Sequence, residues 1–199
     1  QDFQSQVIDQ LFAGSNENQD ASGGEYRENR LGLVGRFNYD FKSKYMLETA
    51  FRYDGSSRFA PENQWGFFPS VSAAWRISEE PFFGGVQKYV PSLKLRASVG
   101  TAGNDGTAAY QWLSGFVFNH FFAINETAIP TIDNTDLPNR DITWETITTY
   151  DVGLDMALFN SDLTLSIDYF KRYKEGVLAY ASGSVPSTLG VGLAARNFH

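Results

Sequence analysis

The side chains able to do chemistry are few, and their spacing decides what they are for. His120 and His199 are the only imidazoles and cysteine is absent. Disulfides and thiolate metal sites are therefore excluded, and a histidine-based metal site is not expected. No G-x-S-x-G accompanies either histidine, so an enzyme is not expected. Asp133, Asp136 and Asp141 are close enough in sequence to offer oxygen ligands to Ca²⁺. Their spacing fits no calcium loop, and the reading is solvated loop acids with no metal assigned. Residues 190–195, GVGLAA, fit a loose G-x-G-x-x-A. A dinucleotide site needs a strand before it and a helix after it, and a Gly- and Ser-rich tail offers neither. GTAGNDG at 100–106 lacks the Gly-Lys-Ser/Thr of a phosphate loop and reads as a strand exit and turn. No cofactor is assigned. Binding chemistry remains. Trp112, Phe116, Phe118, Phe121 and Phe122 crowd one stretch, suited to stacking on sugars or to a partner interface, with packing of the loop onto itself as the alternative. Arg52, Arg76 and Arg96 are the cations placed where a ligand or partner would meet them.

These residues hang on a framework of alternation. In residues 31–59, LGLVGRFNYDFKSKYMLETAFRYDGSSRF, Leu31, Leu33, Gly35, Phe37, Tyr39 and Phe41 share one face, and Gly32, Val34, Arg36, Asn38 and Asp40 the other. After Lys42-Ser43-Lys44 the alternation resumes, with Tyr45, Leu47, Thr49, Phe51 and Tyr53 against Met46, Glu48, Ala50, Arg52 and Asp54. A period of two predicts a hairpin of two strands. Each strand runs to about ten residues, longer than the usual five or six and enough for a tilted strand to cross a bilayer. Four further strands follow the same rule over about 65–77, 93–101, 144–158 and 163–173. Pro69 lacks an amide proton, which predicts a strand start or bulge. Ser78 is a candidate cap for a short helical turn. Phe3 to Phe12 has the spacing of a short amphipathic helical turn. Residues 54–64 read as an open polar loop, and 102–142 as a long irregular one.

Composition narrows the class. A net charge of −7 argues against nucleic acid, which needs a basic face. The 16% of aromatic residues suits strands and the aromatic girdles of membrane barrels. No apolar run approaches the length of a membrane helix, a test that does not see barrels. Connections after the first, third and fifth strands are short or compact, and those after the second, fourth and sixth are open. Short turns at one end and long loops at the other is the habit of transmembrane barrels. The apolar faces carry one charge, Lys171, at a strand end where it can snorkel. A soluble sheet with one wet face also alternates, so a β-sandwich carbohydrate-binding module remains the alternative. A passive porin is another. Six strands cannot close a barrel, whose smallest examples have about eight. The expected fold class is therefore all-β, a segment of a large antiparallel transmembrane β-barrel covering residues 1–199.

The segments GRFNYDFKSKYMLETAFRYDGSSRF, WGFFPSVSAAWRISEEPFF, LKLRASVGTAGN, NRDITWET and GLDMALFNSDLTLSIDYFKR resemble the SusC/RagA family of TonB-dependent outer-membrane transporters, in order from about residue 31 to 172. DGSSRF (54–59), WGFFPS (65–70) and the Trp144-Glu145-Thr146 strand start are the most distinctive. The resemblance implies a barrel of about 22 strands with an N-terminal plug, in the outer membrane of a Gram-negative bacterium and in contact with its lipid. It implies a SusD-like surface lipoprotein as lid, and import of oligosaccharides or peptides driven through TonB, ExbB and ExbD. No plug or TonB box is found in these residues. The end segments match least, so the ligand is not implied.

Overall fold

A computed structural model of the chain describes residues 27–124, 127–134, 136–180, 188 and 192–198. The helical turn expected over residues 3–12 lies outside them. Six long strands form one antiparallel sheet: β1 (Arg30–Phe41), β2 (Tyr45–Ser56), β3 (Trp65–Arg76), β4 (Ser92–Asn104), β8 (Glu145–Leu158) and β9 (Leu163–Glu175), paired in the order β1-β2-β3-β4-β8-β9. All are the expected strands, with β4 four residues longer than the alternation gave. The 102–142 stretch is not irregular throughout. It holds a hairpin, β5 (Phe116–Ile124) with β6 (Thr127–Asn134), and a short strand, β7 (Asp136–Leu137). After β9 come β10 (Val177–Ala179), β11 (Gly192–Leu193) and β12 (Arg196–Phe198). β10 pairs antiparallel with β12, and β11 pairs parallel with β7.

Register makes the two faces continuous. Gly35 lies opposite Phe51 and Phe51 opposite Pro69; Leu47 faces Ala73, which faces Ala97, which faces Val152, which faces Tyr169. Since each step crosses to a residue on the same side, the apolar sets of all six strands merge into one surface. That surface is open: Leu31, Phe37 and Tyr169 are 68%, 60% and 75% exposed. Among the described residues no second layer covers it, and the fully buried large side chains, Phe59 and Ile142, lie in loops. A sandwich would bury this face against a second sheet. Instead the sheet is a wall segment of an unclosed barrel. Among the described residues no helix is long and apolar enough to cross a membrane, which says nothing of crossing by strands.

The first turn has the geometry that right-twisted strands need. Lys42 and Ser43 both take positive φ (54° each) and the Lys44 amide donates to Phe41 O at 3.0 Å, a type I′ arrangement. Pro69 begins no strand. The β2–β3 register runs through it without a shift, and the β3–β4 ladder stops one residue away, at Ser70 opposite Gly100. The missing amide proton is tolerated beside that gap. Ser78 is not a cap; it is buried inside a 3-10 turn (Ile77–Glu79) that has no side-chain cap.

Candidate functional site

The polar face holds a chain of ion pairs, densest on β4, β8 and β9. Arg96 donates Nε to Asp155 Oδ2 at 2.7 Å and Nη2 to Asp155 Oδ1 at 2.9 Å, a two-pronged pairing. The same Nη2 reaches Asp168 Oδ1 at 2.9 Å, and Ser166 Oγ donates to Asp155 Oδ1 at 2.5 Å. Register explains this reach. Arg96 lies opposite Gly153, and Gly153 opposite Asp168. Gly153 has no side chain to intervene, and a Cβ there would lie 2.7 Å from Arg96 Nη2 and strike the Asp168 carboxylate. One cation thus holds two carboxylates across three strands. Arg36–Glu48 (3.7 Å), Arg52–Asp54 (3.0 Å) and Lys174–Glu145 (3.9 Å) continue the pattern. Beside Arg96 a groove of about 530 Å³ crosses the polar face, lined by Asn38, Glu48, Ser72, Lys94 and Asp151 among others.

The three arginines do not converge. Arg96 is at the centre of its cluster. Arg76 ends β3 opposite Lys94. Arg52, opposite Phe68, lies three same-face positions nearer the loop end than Met46, the residue level with Arg96 through Ala74. That is about 20 Å at 3.4 Å per residue. Sequence reasoning put Asp155 and Asp168 on the polar face but missed their joint grip on Arg96. Only the pairing registers reveal it.

The loop end is knit together, contrary to the expectation of an open polar loop over 54–64. Phe59, Ile142 and Ala195 form a small core against which Trp144 and Leu178 pack. Ring centroids of Phe59 and Trp144 lie 5.2 Å apart, and those of Phe68 and Trp144 5.3 Å. Trp144 Nε1 donates to Gln64 O at 3.1 Å. Phe68 fits because Gly66 and Gly103 leave its ring room that any Cβ would take. Asp105 fastens the same region. It accepts from Arg30 Nε at 2.7 Å and buried Ser56 Oγ at 2.8 Å, while Arg58 Nη1 donates to its backbone oxygen. Burial pushes the Asp105 carboxyl up, but the hydrogen bonds from Arg30 and Ser56 and the charges of Arg30 and Arg58 outweigh it and hold the pKa below its ordinary value. The three most distinctive sequence motifs, at 54–59, 65–70 and 144–146, therefore meet in one place.

The aromatic stretch is partly described. Phe116 opens β5 and is exposed. Phe118, Phe121 and Phe122 stand on β5 opposite Ile132, Pro130 and Ile129; their side chains lie outside the described part of the structure. Trp112 is half-buried before β5, its Nε1 without a hydrogen-bond partner among the described residues. Around it Thr107 Oγ1 donates to Gln111 Oε1 and Gln111 Nε2 to the Tyr180 hydroxyl. Trp112 and Phe116 thus belong to the loop end, away from the Arg96 cluster. Gly192 and Leu193 of the loose glycine motif form β11, paired parallel with β7. Gly106 ends a turn, its amide bonded to Asn104 Oδ1. Among the described residues no three acids or histidines are grouped to hold a metal.

The family model "TonB dependent receptor-like, beta-barrel" matches residues 2–197. TonB-dependent receptor P3 of Formosa agariphila is 35% identical over 148 residues, covering 74% of this chain and 15% of that protein. TonB-dependent receptor SusC of Bacteroides thetaiotaomicron is 34% identical over 151 residues, 73% of this chain and 15% of SusC. The chain therefore spans about a seventh of the length of these curated relatives. Among solved structures, the RagAB peptide importer in its closed-closed state superposes with a TM-score of 0.75 at 25% identity, over 97% of this chain and 21% of that one. Its open-open state gives 0.74 at 25% identity.

Proposed function

This chain belongs to the TonB-dependent receptor-like β-barrel family, a family of receptors and transporters and not of enzymes, and from that membership we propose that it forms six wall strands and their loops in an outer-membrane nutrient importer of a Gram-negative bacterium. The observation that carries the reading is the division of the sheet's faces. One is apolar, exposed and almost uncharged; the other is laced by the Arg96–Asp155–Asp168 cluster and its neighbours. Lipid suits the first face, because a charge there costs about 2–4 kcal/mol at mid-bilayer. A water-filled lumen suits the second. On this reading the turn at Lys42-Ser43 is periplasmic and the Trp144 core extracellular.

The rest of the machine is proposed from the family. A plug supplied by another part of the polypeptide would fill the lumen and couple to TonB, ExbB and ExbD. A SusD-like surface lipoprotein would close over the loop end, where Trp112, Phe116, Phe118, Phe121 and Phe122 are the candidate contacts with ligand or lid. Arg52, Arg76 and Arg96 would line the path below. The cargo would be oligosaccharides or peptides, as the family resemblance implies; among the similar structures the RagAB importer is named for peptides. The test is accumulation of labelled oligopeptides and oligosaccharides by cells carrying the full-length protein, with and without functional TonB. Uptake of one class that stops without TonB is the expected result. Uptake indifferent to TonB would mean a passive porin, and a protein that fractionates as soluble would overturn the reading.

A further inference from the structure

The connection between β3 and β4 does more than turn the chain. It runs as linked tight turns, a 3-10 turn at Ile77–Glu79, a second at Pro81–Phe83, then Val86 N to Phe83 O at 3.0 Å and Tyr89 N to Val86 O at 2.9 Å. Its position is set by Glu80. That carboxylate accepts from the Tyr45 hydroxyl at 2.7 Å and from Trp75 Nε1 at 3.2 Å, with Lys44 Nζ at 3.4 Å. Tyr45 and Trp75 are opposite one another on the apolar face. The connection therefore folds outward, over the edge of that face, and not beneath the polar one. At its far end Phe159 of the β8–β9 turn donates its amide to Tyr89 O at 3.1 Å, so it also spans the bottom of β4 and β8. Pinned at both ends, it presents Phe82 (70% exposed), Val86 and Tyr89 to the outside, beside exposed Phe159.

We propose that residues 77–90 form an interfacial foot, with Phe82, Val86 and Tyr89 embedded in the bilayer at the headgroup–acyl boundary of the leaflet on the short-turn side. This rests on the barrel reading above and extends it. The occupant is lipid because the patch continues the apolar band: Glu80 ties it to Tyr45 and Trp75, which with Phe41 are the aromatic residues at the short-turn end of that band. Amphipathic aromatics gather at that depth, their polar atoms turned to the headgroups. The hold is apolar. Lys42 and Lys88 offer ammonium groups at this end, but Glu79 and Asp162 balance them. The foot would fix the height of the sheet in the membrane from the periplasmic side, leaving the loops free of that task.

The experiment places a nitroxide at Phe82→Cys, and separately at Phe51→Cys, in the full-length protein reconstituted in phospholipid vesicles; this chain supplies no other cysteine. Collision rates with apolar oxygen and with a water-soluble nickel chelate are compared. Both labels are expected to meet oxygen several-fold more readily than nickel. A Phe82 label open to nickel, with the Phe51 label shielded, would overturn the foot while leaving the barrel intact. A Phe51 label open to nickel would overturn the barrel and the foot with it. Should Phe82→Cys not fold, Val86→Cys carries the same comparison. A Glu80→Gln substitution adds a second reading: the Phe82 label should then gain nickel exposure, while the Phe51 label should not change.

Discussion

Replacing Trp144 by alanine would release the loop end without dissolving the sheet. The residue packs its ring at an angle against Phe59 and edge-on against Phe68, centroids 5.2 and 5.3 Å away, and donates to Gln64 O at 3.1 Å. Two aromatic pairs are worth about 0.5–1.5 kcal/mol each, and the hydrogen bond about 1 kcal/mol net. The sum is about 2–4 kcal/mol, which lowers the opening free energy of the β2–β3 loop. At 1.4 kcal/mol per decade that is about 30- to 1,000-fold faster exchange. The amides to follow are Ser56, bonded to Gln64 O at 3.0 Å, and Asn63, bonded to Ala60 O at 2.8 Å. Hydrogen exchange read by mass spectrometry on the full-length protein in detergent or nanodiscs measures them, provided opening and reclosing are fast. Trp144→Phe keeps a ring but loses the donor, and should accelerate the same amides only about fivefold, from about 1 kcal/mol. Exchange in mid-strand residues such as Thr49 should not change. Acceleration below about threefold for Trp144→Ala, or acceleration spread evenly over the sheet, would refute a local core fastened by this side chain.

The two faces make opposite demands on a charge. Phe37→Arg should cost about 2–4 kcal/mol and weaken the heat-resistant folded band on a gel, while Asn38→Arg, one residue along on the polar face, should be nearly neutral. Gly153→Val should push Arg96 away from Asp168, because a Cβ lands on both groups; overpacking of this kind costs about 1–3 kcal/mol, read as a lower melting temperature. Asp105 predicts an acid response at the loop end. Its folded pKa is lowered, so its contribution is complete above the unfolded value of about 3.9 and is lost as pH falls through the folded value. Tryptic cleavage at Arg58 after brief acid exposure, or exchange of nearby amides between pH 5 and pH 3, should rise in the native protein and be high throughout in Asp105→Asn. Ser43→Gly should stabilise the first hairpin by about 1 kcal/mol, since Ser43 is held at φ 54° where a side chain is disfavoured; an unchanged unfolding midpoint would count against that geometry.

The wall was legible because its information is local. Alternation across Leu33, Phe37 and Phe51 is visible in any short window, and the Lys42-Ser43 turn fixes the register of its two strands. Residues that depend on distant partners were not legible in the same way. Arg96 could be placed on a face, but its hold on Asp155 and Asp168 needs the registers of two further strand pairs, including one bridging a connection of some forty residues. Phe59 looked like part of a polar loop because it stands among turn residues; its burial comes from Ile142 and Ala195, far along the chain. The β5–β6 hairpin escaped notice because its pairing slips between Phe118 and His120. A slip of one residue breaks the period of two that alone would announce the strand.

Where the family likeness resides also bears on what it can say. Phe59, Phe68 and Trp144 come from the three most distinctive motifs, and they pack against each other at the rim of the sheet. Gln64, just before the second motif, receives the Trp144 hydrogen bond. These residues fasten the exit of β2, the entry of β3 and the entry of β8, and Asp105 adds the exit of β4. A rim built this way can carry loops of many shapes, since the strands are already locked below them. Likeness in the fasteners therefore reports a shared wall and is silent on cargo. The β5–β6 hairpin, which carries most of the aromatic stretch, and the short strands beyond β9 follow strands that the rim fastens.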